Sequence, residues 1–504
     1  MKSKKKAAVI GSGFGGISAA IRLQKLGFET TIFEKRDQPG GRAYVYHDQG
    51  FVFDAGPTII TAPHCFEELF ELHDRSMRDY VELLPVAPFY RLQWTDGTTY
   101  DYDANLDNTL KQISALSPGD VLGYQNFLKY SRDVFEAGYT KLAHVPFLDF
   151  KSMLRAGPDL IRLKAYRSVY EQVSRYIKHP KLREAFSFHA LLVGGNPFDT
   201  SSIYTLIHYL ERNWGVFFPR GGTGALVNGL LKLFFENGGE LRTDAPVEQI
   251  LVEGSVVKGL RVEGKSLAFD LVVSNADVMH TYDSLLGGHP RGVKAAQALS
   301  RKRWSMSLFL IYFGTSRKYE NIAHHTILFG PRYEGLLKDI FKNGTLAEDF
   351  SLYLHAPTRT DPSMAPEGCE GFYVLSPVPH LGYAEEIDWN IEGPKYAKKI
   401  MQTLEETLLP DLRASIVTQR IFTPLDFKTE LNAHVGSAFS LEPILRQSAY
   451  FRTHNRDPEV KGLYFVGAGT HPGAGLPGVV NSAKATAHVI EGDLNAGVFD
   501  RNRN

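Results

Sequence analysis

Six residues near the start of the chain, Gly11-Ser12-Gly13-Phe14-Gly15-Gly16, and an acidic residue 18 positions later, Glu34, are spaced for work on a nucleotide. Gly11, Gly13 and Gly16 fit the pattern G-x-G-x-x-G. The first glycine allows a tight turn, the second lets a diphosphate approach the backbone, and the third lets a helix pack on a strand. Glu34, with Lys35 beside it, stands where a carboxylate can accept both hydroxyls of a ribose. Pro39-Gly40-Gly41-Arg42-Ala43 follows, and Arg42 would offer a fixed cation to the diphosphate. Ala55-Gly56-Pro57-Thr58 supplies another close backbone turn. Far along the chain, Gly467-Ala468-Gly469-Thr470-His471-Pro472-Gly473-Ala474-Gly475-Leu476-Pro477-Gly478-Val479 forms a stiff loop whose backbone can approach a flat ring. Gly467, Gly469, Gly478 and Val479 are its candidate contacts. A helix behind that loop would set its positive end near a ring that gains charge on reduction. The fingerprint by itself does not separate NAD from FAD.

Particular elements must hold these residues in place. Ala7–Ile10 is a short apolar run suited to a parallel strand buried on both faces, and Ile17–Leu26 is apolar at helical spacing. Gly27 ends that helix and Thr30–Phe33 is the next strand, which completes a βαβ unit. A second glycine-rich turn at Pro219–Gly224 precedes an apolar helix, Ala225–Phe235. Short strands separated by turns fill 240–275, and Val247 begins one of them. Trp94–Tyr102 reads as a hairpin around Asp96-Gly97. Residues 150–215 read as mainly helical, and the C-terminal loop runs into a helix over Val479–Ile490. The class is therefore α/β, a discontinuous Rossmann-type domain carrying an inserted α+β unit. Residues 1–110, 219–290 and 426–492 are expected in the nucleotide domain, 111–218 and 291–425 in the inserted unit, and 493–504 in a tail.

Composition removes several classes. The chain has 504 residues, with 56 Lys plus Arg balanced by 56 Asp plus Glu. A dedicated nucleic-acid binder would be basic. The longest run of large apolar residues is six, Leu308–Phe313, against about 20 for a membrane-spanning helix. The basic start, Met-Lys-Ser-Lys-Lys-Lys, leads into Ala7–Ile10 and glycines with no apolar export core, so a cytoplasmic location is expected. Cys65 and Cys369 lie far apart, which suggests no thiol or zinc chemistry. No hydrolase triad order, HExxH or spaced His/Cys set occurs, so no metal is expected.

The order of Pro39–Tyr44, Phe53–Thr58, Phe218–Val227, Ser274–Val278 and Gly467–Val480 resembles that of bacterial and fungal phytoene desaturases, within the larger group of flavoproteins that includes amine oxidases. Phe186–His189, Leu192–Pro197 and Ser351–Pro357 resemble that family and not amine oxidases. The resemblance implies FAD as cofactor, Val247 as an adenine-side backbone contact, and stepwise dehydrogenation of phytoene toward lycopene. It implies electron transfer onward to oxygen or a quinone. A carotenoid cis–trans isomerase using reduced FAD is the alternative on the same fold. An amine oxidase fits less well, because the C-terminal loop lacks that group's aromatic pair.

Such a substrate offers no polar handle, so the flavin would carry the hard step and the protein would position the bond and exclude water. Asp149 and Arg155 are the candidate catalytic pair. Ser152 stands three residues from each, on one helix face, where related desaturases often carry an acid. His189 and His355 read as core histidines. Between Lys151 and Arg183 the chain holds nine basic and two acidic residues. Leu160, Leu163, Tyr166, Tyr170, Val173 and Ile177 are spaced as one apolar helix stripe. A basic amphipathic stretch suits the surface of an anionic membrane, from which a C40 hydrocarbon must be drawn, so peripheral attachment to the cell membrane is expected.

Overall fold

The computed structural model describes residues 4–141 and 143–499. Met1–Ser3 of the basic start and 500–504 of the expected tail lie outside the described residues. The chain's first apolar run becomes the middle of a five-stranded parallel sheet. Its order is Leu463–Phe465, Leu271–Ser274, Lys6–Ile10, Glu29–Phe33 and Glu240–Arg242. Ala7–Ile10 and Leu271–Ser274 are buried throughout, as befits strands covered by helices on one face and other structure on the other. Three helices pack over one face: Phe14–Lys25, Thr223–Glu236 and Leu476–Asn495. They begin slightly earlier than apolar spacing alone suggests, each directly after a glycine. An antiparallel sheet of Val247–Glu253, Val256–Val262 and Lys265–Ala268 covers the other face.

The second body is a seven-stranded mixed sheet. Its order is Ile416–Phe422, Ser307–Thr315, Glu370–Val378, Leu352–His355, His325–Phe329, Tyr90–Trp94 and Thr99–Tyr102. The last two strands form the expected hairpin, with Gly97 at φ +83. They belong to this sheet although they fall within 1–110, and Tyr90–Trp94 docks in parallel on His325–Phe329.

Strand periodicity decides what this sheet does. Along Ser307–Thr315 all nine residues are buried. Phe309, Ile311 and Phe313 face a core closed by Trp389, Tyr396, Ile400 and Leu404 of the helix Trp389–Thr407. Leu308, Leu310 and Tyr312 point the other way and line a cavity. Tyr373, Leu375 and Pro377 of the neighbouring strand do the same. One face is thus a conventional core and the other is a cavity floor.

The basic apolar stretch departs from the single expected stripe. A helix spans Phe150–Arg162, Lys164 then takes φ +57, and a second helix, Val169–Ser174, begins behind a Ser168–Glu171 capping box. The left-handed residue breaks the register. Leu163, Val173 and Ile177 are buried, whereas Tyr166 is 62% exposed.

Candidate functional site

One cavity of about 620 Å³ runs between the two sheets. Fifteen of the seventeen residues expected to hold a dinucleotide line it: Gly11, Gly13, Phe14, Gly15, Glu34, Lys35, Gly41, Arg42, Gly56, Pro57, Thr58, Val247, Gly467, Gly478 and Val479. Gly16 and Gly469 stand behind its wall. A Cβ on Gly16 would collide with the carbonyl oxygen of Gly11, and one on Gly469 would stand 2.6 Å from Cγ1 of Val278. Their work is close packing.

The sequence shapes this cradle locally. Gly11 holds φ +88 and donates its amide to Phe33 O at 2.8 Å, so the turn is pinned to the second strand. Gly13 opens the helix with no side-chain cap and no acid in the first turn, which leaves the helix's positive end facing the cavity. Gly15 has no room for a side chain: a Cβ would lie 2.6 Å from Oδ1 of Asn275 and 3.1 Å from Cα of Gly467. Three distant segments therefore meet within van der Waals distance around the spot where a diphosphate would lie. This geometry fits a flavin dinucleotide.

The charged residues sit as follows. Glu34 is buried and accepts from the amide of Ser12 at 2.9 Å, its hydroxyl at 2.6 Å, and the amide of Arg36 at 3.0 Å. Lys35 donates to Thr429 O at 2.8 Å and to Asn432 Oδ1 at 2.9 Å, and burial lowers its pKa. The Arg42 guanidinium does not stand alone as a cation for phosphate. Its Nε donates to Ala438 O at 2.8 Å and its Nη2 reaches Ser437 O at 3.5 Å. Burial lowers its pKa, while Asp277 acts to raise it. Arg452 does similar work for the C-terminal loop, donating to Ala468 O at 2.6 Å and Leu441 O at 3.1 Å.

Beyond the cradle the lining turns apolar. The sheet floor supplies Leu308, Leu310, Ile327, Phe329 and Leu375, and the opposite wall supplies Phe188, Leu191, Leu192, Ile207 and Leu210. Met153, Ala156 and Leu160 close it from the helix Phe150–Arg162. Two polar features break this surface. Thr58 Oγ1 lies 2.6 Å from the Tyr373 hydroxyl and 3.3 Å from that of Tyr353, which reaches His325 Nδ1 at 2.7 Å. Behind these, His324, His325 and His355 form a buried cluster with ring nitrogens within 4.8 Å of one another. Burial holds His324 down to about 3 and pushes His325 and His355 well below the ordinary histidine range, because it disfavours the charged ring. The second feature is Glu211, with Tyr90 and His189.

The candidate pair Asp149 and Arg155 is not brought to the cavity. Asp149 caps the helix, accepting from the Ser152 amide and hydroxyl, each at 2.8 Å, and these bonds lower its pKa. Both residues are exposed. Sequence reading missed Asn275, Glu211 and the tyrosines of the floor. Glu211 carries a legible signal: it follows Ile207 by four residues, which puts an acid on an apolar helix face.

A glycine-cradled dinucleotide site opening into an apolar chamber defines the class as an FAD-dependent oxidoreductase. The chain belongs to the flavin containing amine oxidoreductase family, whose profile matches residues 14–490. Within it, the phytoene desaturase (lycopene-forming) of Pseudescherichia vulneris is 59% identical over 491 residues, covering 97% of this chain and 100% of that one. The phytoene desaturase (lycopene-forming) of Pantoea ananas is 57% identical, again with 97% and 100% covered. The solved structure of an oxidoreductase from Methanosarcina mazei aligns with a TM-score of 0.63 at 18% identity, over 96% of this chain and 100% of that one, a likeness of fold.

Proposed function

We propose that the chain is an FAD-dependent phytoene desaturase that dehydrogenates phytoene stepwise toward lycopene. The observation that carries this reading is the continuous cavity, glycine-cradled at one end and lined by aliphatic and aromatic side chains at the other. Bound FAD supplies the acceptor for the hydrogen that leaves as hydride. The chain's own residues do the rest. The floor leucines and the Phe188–Val193 wall hold a polyene by shape and exclude water. Glu34 and the helix end at Gly13 orient the dinucleotide. The near-complete coverage of two lycopene-forming relatives supports the same substrate and product.

A hydrocarbon must enter from lipid. No helix among the described residues is long and apolar enough to cross a membrane. The helix Phe150–Arg162 turns Met153, Ala156 and Leu160 to the cavity. Its outer face exposes Leu154 (61%) and Ile161 (68%) among Lys151, Arg155 and Arg162. That arrangement supports peripheral attachment, with this helix as the wall between bilayer and chamber. Asp149 and Arg155 then act at the membrane face, one as helix cap and the other as a headgroup contact. Oxygen or a quinone re-oxidises the cofactor in this reading.

The test is expression in a phytoene-accumulating host. Pigment with the absorbance of lycopene, and a mass two hydrogens lower per step, is expected. A product of unchanged mass would mean isomerisation, and no product from phytoene would overturn the reading.

A further inference from the structure

Removing two hydrogens from a saturated carbon pair needs a destination for each. One leaves with its bonding electrons as hydride to the flavin. The other leaves the adjacent carbon as a proton, and its bonding electrons become the new C=C bond. An apolar chamber has few places for that proton. We infer that Glu211 is the base that takes it, an inference that rests on the desaturase reading.

Several observations single out this carboxylate. Glu211 lines the cavity, and 1% of its surface is exposed. It projects from the helix Leu206–Trp214 one turn after Ile207 and next to Leu210, which line the same chamber. Its Oε1 accepts the Tyr90 hydroxyl at 2.6 Å, and its Oε2 lies 3.2 Å from His189 Nε2 without an aligned hydrogen bond. Among the described residues no Lys or Arg comes within ion-pair distance of it. A buried carboxylate so poorly compensated is costly to keep, which argues for a use. The other acids of the cavity lining have amide donors or cations beside them. Glu34 is held by Ser12 and Arg36, and Asp277, whose Oδ1 accepts the Met279 amide at 2.9 Å, has the Arg42 cation near it. Asp159 pairs with Arg162 at 3.0 Å, and Glu430 pairs with Arg36 at 2.8 Å.

The arrangement also orients the base. Tyr90 comes from the sheet floor and Glu211 from the opposite helix, so their bond spans the chamber wall and leaves Oε2 as the oxygen to be protonated. His189, its ring centroid 4.1 Å from that of Phe188 and tilted by 33°, stands 3.2 Å from Oε2 and can take the proton on once the turnover is complete.

The experiment uses purified flavin-loaded enzyme mixed anaerobically with phytoene in phospholipid vesicles, following bleaching of the flavin absorbance through one turnover. Glu211→Gln keeps the shape and can still accept from Tyr90. It is expected to slow bleaching by about 10²–10⁴-fold, with flavin content kept and the thermal midpoint no lower than that of the wild type. Glu211→Asp should fall between. Bleaching at the wild-type rate by a folded, flavin-loaded Gln variant overturns the assignment. Infrared difference spectra of the wild type decide the matter even where variants fail to fold. A protonated carboxylic acid carbonyl band should grow with bleaching, and its absence overturns the assignment. A wild type that never bleaches with phytoene removes the desaturase reading itself, and this one with it.

Discussion

Ser12 donates twice to Glu34, from its amide at 2.9 Å and its hydroxyl at 2.6 Å, both onto Oε2. The second residue of the fingerprint therefore aims the carboxylate that ends the second strand, and leaves Oε1 to the Arg36 amide and the cavity. Glu34→Ala removes this acceptor while leaving the sheet intact. The purified variant should carry far less FAD than wild type, measured by absorbance after denaturation. Full occupancy would show that the ribose is held elsewhere.

Gly15 sets a second expectation. A methyl group there would press on Asn275 Oδ1 and on the Gly467 backbone. Gly15→Val should push the three segments apart and abolish flavin binding, with a lowered thermal midpoint. Asn275→Ala in the same background should recover part of the binding, because it removes one of the two obstacles.

The histidine cluster makes stability depend on pH. His324 is held at about 3 against an ordinary 6.5, by burial. Below 6.5 the unfolded chain therefore binds a proton that the folded chain refuses. The stability is fully present above 6.5 and falls as pH drops from there toward 3. His324→Gln should flatten that decline by about 1.4 kcal/mol per pH unit. Denaturant unfolding between pH 7 and 4 measures it, and parallel curves for both proteins would contradict it.

The outer face of the helix Phe150–Arg162 should bind lipid. Leu154→Glu with Ile161→Glu places two acids where both side chains already face solvent. Co-sedimentation with anionic phospholipid vesicles should fall several-fold, with the thermal midpoint and flavin content unchanged. Retained binding would place the membrane contact on another face.

The nucleotide domain was largely legible because its signals are local: apolar runs, glycines at fixed offsets, an acid at a strand end. The chamber was not. Leu308–Phe313 reads as an unbroken apolar run, since one face meets a core and the other meets a cavity, and burial on both sides erases the period of two. The stripe from Leu160 to Ile177 misled because a single left-handed residue, Lys164, divides it. His325 and His355 lie 30 residues apart and become neighbours only through antiparallel pairing of their strands. Asp149 looked chemical by spacing, yet an acid before a helix is equally a cap, and only three-dimensional placement separates the two.

The edge of the parallel sheet has a consequence for biogenesis. Leu463–Phe465 pairs with Leu271–Ser274, which pairs with the strand that opens the chain. During synthesis the ribosome delivers the Lys6–Phe33 unit long before the Gly467–Val479 loop. The wall that this loop gives the cavity cannot form until the loop has emerged. A nascent chain stalled before Leu463 would carry the fingerprint and still have no complete site.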